Sequence, residues 1–274
     1  MNRQSDPIAS CGIQQKRQSK TGSAKGWNMA RLLIIAGPSC AGKSPLLAAV
    51  KKLHPDVLEG VKPVVLCNSR SPRPGEKDGV DYDFRKREEI KELRNDPEYL
   101  VMDVRGDLQA LNLKGLEDSE SDLIFEGNPF VGSQLMKLRL PPSMERLGVF
   151  VSPLSKWEVE RLKEMGADIP KVLTMIMRRK LLRRARGMLG MLSLPDLEEI
   201  ERRAESAPRE MEFAQLFDYV LPNHDGEDSG NWSDFYYPVG DALRTMRGII
   251  DLWTGKDVPW AEVWKPGDPW EEVE

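Results

Sequence analysis

One eight-residue segment has the composition and spacing needed to bind the phosphates of a nucleotide. It fits the pattern G-x-x-x-x-G-K-[ST] and reads Gly37-Pro38-Ser39-Cys40-Ala41-Gly42-Lys43-Ser44. Its glycines let backbone N–H groups approach a phosphate closely, the lysine can reach the β- and γ-phosphates, and the serine hydroxyl can ligate Mg²⁺. We therefore expect ATP to bind along this phosphate loop, at Gly37, Ser39, Ala41, Gly42, Lys43 and Ser44.

A second segment, further along the chain, carries two arginines on a proline-stiffened turn. It reads Asn68-Ser69-Arg70-Ser71-Pro72-Arg73-Pro74-Gly75-Glu76-Lys77-Asp78-Gly79-Val80-Asp81-Tyr82-Asp83-Phe84. Two guanidinium groups three residues apart can grip a phosphate monoester, because each planar fork offers parallel donors. The hydroxyl of Tyr82 can add a further donor.

Together the two segments closely resemble the guanylate kinase family, whose acceptor-binding arm follows R-x-P-R-x-G-E-x-x-G-x-D-Y-x-F. Every specified position of that pattern matches here. The resemblance implies that Ser69, Arg70, Arg73 and Tyr82 hold the phosphate of an acceptor nucleotide. It also implies an ATP-dependent nucleoside-monophosphate kinase, a transferase that converts ATP and (d)GMP into ADP and (d)GDP.

The resemblance extends more loosely to residue 223 and implies further roles. Asn223 would lie beside the adenine of ATP, and Lys43 and Arg203 would stabilise the phosphoryl group during transfer. Phosphoryl transfer asks the protein mainly for positioning and positive charge, which agrees with these residue types. Glu126 follows a predicted strand, where it could act with Ser44 on Mg²⁺; an ordinary helix-capping or salt-bridged carboxylate is the alternative.

Two regions depart from the family pattern. Val101 aligns where a base-reading Glu is expected, the tyrosine element after it is missing, and Asp103 or Asp107 could replace the Glu only after a register slip. A site without its hydrogen-bonding groups discriminates weakly, so the sequence predicts a relaxed base preference.

The second departure lies in the lid, where Met165 takes the place of an arginine. The lid segment also contains six basic residues within nine positions: Arg178, Arg179, Lys180, Arg183, Arg184 and Arg186. They could be replacement lid arginines, a solvated helix face, a surface paired with acids, or a patch for a polyanion such as RNA.

The elements that must position these residues alternate along the chain. Apolar runs predict strands, and the segments between them predict helices. The strands are predicted at 32–36, 61–67, 123–125, 147–151 and 219–221, and the helices at 44–54, 130–138, 155–164 and 196–217. This order predicts an α/β fold of the P-loop NTPase type, with a parallel sheet flanked by helices.

The domain organisation follows from where the alternation is interrupted. We predict a disordered tail over 1–29, a kinase-like domain over 30–229, and a C-terminal extension over 230–274. Within the domain, 68–121 is the predicted acceptor-binding arm segment and 165–195 the predicted lid segment. Five of the seven tryptophans lie in the extension, where they either pin it onto the domain or form a surface for self-association or a partner.

The bulk composition excludes several classes of protein. The net charge of −4 offers no general attraction to nucleic acid, so a nucleic-acid partner is not expected. Three scattered cysteines, two histidines and no bilayer-length apolar run argue against a disulfide scaffold, a histidine metal site and a membrane protein. We expect a cytoplasmic location.

Besides a nucleic-acid-linked function of the basic lid and the N-terminal tail, which is not expected, three functions remain open from the sequence. The first is a guanylate kinase, the second a kinase for another phosphorylated acceptor on the same fold. The third is a non-catalytic binding module with a guanylate kinase-like domain. The retention of Gly42, Lys43 and Ser44 favours an enzyme.

Overall fold

The computed structural model describes residues 29–73 and 75–268. Its centre is a five-stranded sheet in the order β2-β7-β1-β8-β9, in which every neighbouring pair is parallel. The strands of this sheet are β1 (Ala30–Ala36), β2 (Lys62–Pro63), β7 (Leu123–Gly127), β8 (Met144–Ser152) and β9 (Tyr219–Pro222). The predicted α/β fold is confirmed.

Helices cover both faces of the sheet. In chain order, the helices of the described residues are α1 (Lys43–Leu53), α2 (Arg87–Glu92), α3 (Leu113–Glu117), α4 (Pro129–Lys137), α5 (Lys156–Glu164), α6 (Ile169–Leu189), α7 (Leu194–Met211) and α8 (Gly240–Trp253). Of these, α2 packs on the arm sheet described below and not on the central one. Alternate residues of β1 point to opposite faces, as a pleated strand requires. Leu32 and Ile34 join a buried cluster with α4, α6 and α7, whereas Leu33 and Ile35 pack with α1 and α8.

The arm segment builds a second, four-stranded sheet in the order β4-β3-β6-β5. Its strands are β3 (Cys67–Asn68), β4 (Asp83–Phe84), β5 (Tyr99–Val104) and β6 (Asp107–Asn112). The single strand predicted over 61–67 is therefore wrong, because the chain leaves the central sheet after β2 and enters the arm sheet at β3. The hydrogen bond from Val64 N to Ile124 O (2.8 Å) is the last that ties this run to β7.

The predicted lid segment, 165–195, forms α6, which packs against α7; these two helices together are called the lid below. Ile169, Leu173, Met177 and Leu181 of α6 are buried against Ile200, Ala204 and Ala207 of α7. The helix predicted over 196–217 begins earlier, at Leu194, and its last turns tighten into a 3₁₀ helix, Glu212–Leu216. Further 3₁₀ turns lie at Pro55–Leu58, Leu93–Asn95 and Gly230–Trp232.

Residues 230–268 pack on the central sheet. Trp232, Trp253 and Trp264 are buried, and Glu262 forms an isolated antiparallel bridge with Val220 of β9. The tail up to residue 28 and Trp270 lie outside the described residues. Within the described part of the chain, no helix combines the length and the apolar character that crossing a membrane requires.

Candidate functional site

The phosphate loop runs from the end of β1 to the first turn of α1, as its sequence predicts. A side chain at Gly37 would place its Cβ 2.3 Å from the carbonyl oxygen of Val151, and Gly42 has a left-handed backbone with φ of 97°. Both positions therefore require glycine. Lys43 is buried, and its Nζ donates hydrogen bonds to Gly37 O (2.9 Å) and Pro38 O (2.8 Å). The ammonium group thus lies inside the curve of the loop.

A hydroxyl and a carboxylate meet beside the loop. Ser44 Oγ donates to Glu126 Oε1 at 2.9 Å, and Glu126 lies near the carboxyl end of β7. Burial raises the pKa of Glu126, with the neighbouring Glu227 adding to the effect and Lys43 and Ser44 opposing it. Two oxygen donors of these types suit Mg²⁺.

An acidic segment, residues 224–229, lies against the phosphate loop, and we call it the acidic strap. Glu227 Oε2 accepts a hydrogen bond from Gly42 N at 3.2 Å, and Asp228 Oδ1 lies 4.0 Å from Cys40 Sγ. Burial, followed by the charges of Glu227 and Asp228, raises the pKa of the Cys40 thiol to about 12. Cys40 is therefore a protonated packing residue at neutral pH.

Asn223 supports the same loop from behind. It is fully buried, and its Nδ2 donates to Ala41 O (2.8 Å) and Asp225 O (2.7 Å). Its amide thereby joins β9 to the phosphate loop, and a contact with adenine stays a prediction.

The arm segment holds its arginines with internal carboxylates. Arg70 makes a bidentate pair with Glu76, with both N···O distances at 2.6 Å, and its guanidinium lies 5.0 Å from the ring centre of Tyr82. Glu76 also accepts from Arg73 N at 2.7 Å. The hydroxyl of Ser69 accepts from Leu108 N (2.8 Å), which closes the pairing of β3 with β6.

The arm and the lid meet at Glu199 of α7. Its carboxylate pairs with Arg73 of the arm (3.1 Å) and with Arg203 one helical turn along (2.6 Å), and it also pairs with Arg202. Burial opposes ionisation of Glu199, but the charges and hydrogen bonds of Arg203 and Arg202 outweigh it and lower the pKa of Glu199 to about 2. Burial, followed by the charges of Arg203 and Arg70, lowers the pKa of Arg73 to about 10, so it remains protonated at neutral pH.

The chain was compared with protein families and with known proteins. The family model described as guanylate kinase matches residues 29–106. A guanylate kinase from Rhodococcus jostii (strain RHA1) is 29% identical over 220 residues, which cover 77% of this chain and 86% of that protein. A guanylate kinase from Mycobacterium sp. (strain MCS) is 30% identical over 195 residues, which cover 68% of this chain and 91% of that protein. The chain belongs to the guanylate kinase family.

Among solved structures, the crystal structure of guanylate kinase from Anaplasma phagocytophilum matches with a TM-score of 0.47 and 20% identity. That match covers 83% of this chain and 86% of the crystallised one.

The structure shows which face of the arm sheet carries Val101, the residue that aligns with the family's base-reading Glu. Val101 packs with Cys67, Ile90, Leu108 and Ala110 on the face of the arm sheet that α2 covers. Its pairing partner on β6 is Ala110, whereas the next pair, Met102 with Gln109, points to the opposite face. Val101 is thus not on the face that carries Asn68 and Gln109, the buried amides of the arm sheet.

The predicted site residues fall into two groups. The phosphate loop, Ser44 and Glu126 lie together, and Arg70, Tyr82, Arg73 and Arg203 form a second cluster between arm and lid. Sequence reasoning missed Glu199 and Glu227, which hold these groups in place. The sequence did signal Glu227, because Glu227 and Asp228 form an acidic pair shortly after Asn223. Only the fold shows that Glu227 contacts the phosphate loop.

Proposed function

We propose that this member of the guanylate kinase family transfers the γ-phosphoryl group of ATP to the phosphate of GMP or dGMP, releasing ADP and the diphosphate. The observation that carries the proposal is the convergence of Arg73 and Arg203 on Glu199, in a chain whose phosphate loop is intact. Arg73 comes from the acceptor arm and Arg203 from the lid.

The proposed reaction forms a bond between an acceptor phosphate oxygen and the γ-phosphorus, while the bond from that phosphorus to the β–γ bridging oxygen of ATP breaks. Lys43 and the loop N–H groups would hold the donor phosphates, and Arg70, Arg73 and Tyr82 the acceptor phosphate. Arg203 would add positive charge where negative charge spreads over the transferring group. Both arginine clusters must exchange an internal carboxylate for a phosphate, because Glu76 and Glu199 now bind them.

Magnesium fits the oxygen donors beside the loop. Ser44 and Glu126 would hold the ion together with the phosphates of ATP, as is usual for a cation that rarely occupies an all-protein cage. When bound, Mg²⁺ neutralises charge on the β- and γ-phosphates. The residues' own contribution is to keep the hydroxyl and the carboxylate in hydrogen-bond contact at the start of α1.

The acceptor is tested by measuring kcat/KM for GMP, AMP, CMP and UMP in a coupled ADP-release assay. We expect GMP to be accepted with a relaxed preference, because the chain lacks a Glu at the aligned base-reading position. A preference for GMP above about a thousandfold would contradict the relaxed preference and leave a strict guanylate kinase. Turnover of another monophosphate alone would favour the second candidate, a kinase for a different acceptor.

Other features of the proposal concern partners and place of action. ATP and a nucleoside monophosphate are the proposed ligands, and a cytoplasmic location stays a prediction. Self-association through the tryptophan-rich segment is the alternative use of residues 230–268. A non-catalytic binding module is disfavoured because Lys43 and Ser44 are both retained.

A further inference from the structure

The acidic strap places a carboxylate where the donor phosphates of the proposed function must bind. Gly42 is the residue that precedes α1, and its N–H donates a hydrogen bond to Glu227 Oε2 at 3.2 Å. Such an N–H group favours anions, because it combines an unpaired donor with the positive end of the helix dipole. In this structure the anion is the side chain of Glu227.

The strap is anchored at several points, so the position of Glu227 is built into the fold. Lys180 Nζ donates to His224 O at 2.5 Å, and Arg183 pairs with Asp228 at 2.9 Å. Both basic residues belong to α6 of the lid. On the other side Gly226 packs so closely that a Cβ there would lie 2.2 Å from Cys40 O.

The backbone of the strap is fixed by further hydrogen bonds. Trp232 Nε1 donates to the carbonyl oxygens of Asp225 (2.8 Å) and Gly226 (3.0 Å). Asp225 in turn accepts from Ser229 Oγ (2.8 Å), Asn231 Nδ2 (2.9 Å) and Ala242 N (3.0 Å). Against this fixed backbone, the half-buried Glu227 side chain can leave Gly42 without unfolding the strap.

We propose that Glu227 is an internal competitor for the donor phosphates, which ATP must displace from the Gly42 N–H before it can bind productively. This role of Glu227 depends on the ATP site of the proposed function, but Glu227 takes no part in the transfer step. Because Arg183 and Lys180 tie the strap to α6, the displacement occurs at the junction of phosphate loop and lid. Glu227 therefore sets the affinity for ATP and leaves the acceptor arm unaffected.

A different role for Glu227 predicts the opposite result. Glu227 is close enough to Glu126 to raise its pKa, so it could instead ligate Mg²⁺ together with Ser44 and Glu126. A metal ligand strengthens the binding of MgATP, whereas a competitor weakens the binding of ATP with or without metal. The two roles are distinguished by whether removal of the Glu227 charge raises or lowers the affinity for ATP.

The test is calorimetric titration of wild type and Glu227→Gln with a non-hydrolysable ATP analogue and with inorganic triphosphate, each with and without Mg²⁺. Glutamine keeps the shape and removes the charge, so we expect the variant to bind both probes roughly tenfold more tightly. Asp234→Asn, which removes an exposed acid a few residues away, controls for net charge and should change affinity little.

Unchanged or weaker binding by Glu227→Gln would overturn the proposal. If neither wild type nor the variant binds the ATP analogue or triphosphate, the proposed donor site is wrong, and the role of Glu227 as a competitor falls with it. Thermal unfolding of each variant confirms that the fold is intact. If Glu227→Gln does not fold, Glu227→Ala serves in the same titration with the same expected direction.

Discussion

Arg73 of the arm and Arg203 of the lid share one carboxylate, that of Glu199, with N···O distances of 3.1 Å and 2.6 Å. The pairing brings two guanidinium groups from segments far apart in the sequence to a single point. Like charges at this distance repel, and the proximity of Arg203 contributes to the lowered pKa of Arg73. An anion is therefore needed here, and under the proposed function a substrate phosphate would replace Glu199 in that role.

Replacement of Arg203 by lysine tests its part in the transfer step. We expect Arg203→Lys to lower kcat roughly ten- to a hundredfold with little change in KM, because it removes charge-delocalising donors used in the transition state. Arg202→Lys is the matched control, since Arg202 also pairs with Glu199 but directs Nη1 to Arg105 O at 2.7 Å. Equal losses in both variants would assign Arg203 a structural role.

Replacement of Arg70 by lysine tests the acceptor fork. A lysine cannot reproduce the bidentate geometry that Arg70 makes with Glu76, so we expect the affinity for a monophosphate to fall roughly tenfold. Affinity for ATP should stay unchanged. Calorimetry with GMP and with an ATP analogue measures the two affinities, and Arg94→Lys, at an exposed position, is the control. An unaltered GMP affinity would remove Arg70 from the acceptor site.

Stability should depend on pH through His224, which joins α5 to α8. Its ring contacts Glu158 Oε1 (2.8 Å) and Asp241 Oδ2 (2.5 Å), and the hydrogen bond with Glu158, aided by Asp241, raises its pKa to about 9. Because the pKa of His224 is higher in the folded state, its protonation stabilises the fold, fully so below the ordinary pKa of histidine. This stabilisation is lost as the pH rises through the pKa of the folded state. Since the ring is half exposed, solvent screening reduces the contribution to about 1 kcal/mol.

The measurement is the free energy of unfolding of wild type and His224→Gln at about pH 6 and about pH 10. We expect the variant to be less stable at the lower pH and the difference to shrink at the higher one. His54→Gln, which removes the other histidine, is the matched control. A His224→Gln difference that is equal at both values would contradict the assignment.

The sequence was sufficient where local pattern decides structure. The loop of residues 37–44, β1 and α1 follow from a motif whose glycines and lysine act within a few residues of one another. The run at 61–67 was misjudged because apolar periodicity does not say which sheet a strand joins. Which face of the arm sheet Val101 occupies could not be predicted either, since a slip of one residue in a strand exchanges its two faces.

Contacts between distant segments could not be predicted from the sequence. Glu199 is one of many acids on a charged helix, and only the packing of α7 against the arm selects it as the partner of Arg73. The same holds for Glu227, whose contact with Gly42 joins residues far apart in the chain. Such pairs depend on how the elements pack, which a single sequence does not encode in any local pattern.

The measurement that tests the account most directly is GDP formation from ATP and GMP by wild type and by Lys43→Ala in the presence of Mg²⁺. Lys52→Ala, an exposed lysine on the same helix, is the control. We expect wild type and the control to form GDP at equal rates, whereas Lys43→Ala is slower by about a hundredfold or more. Equal nonzero rates in wild type and Lys43→Ala, or no GDP from wild type, would contradict this expectation.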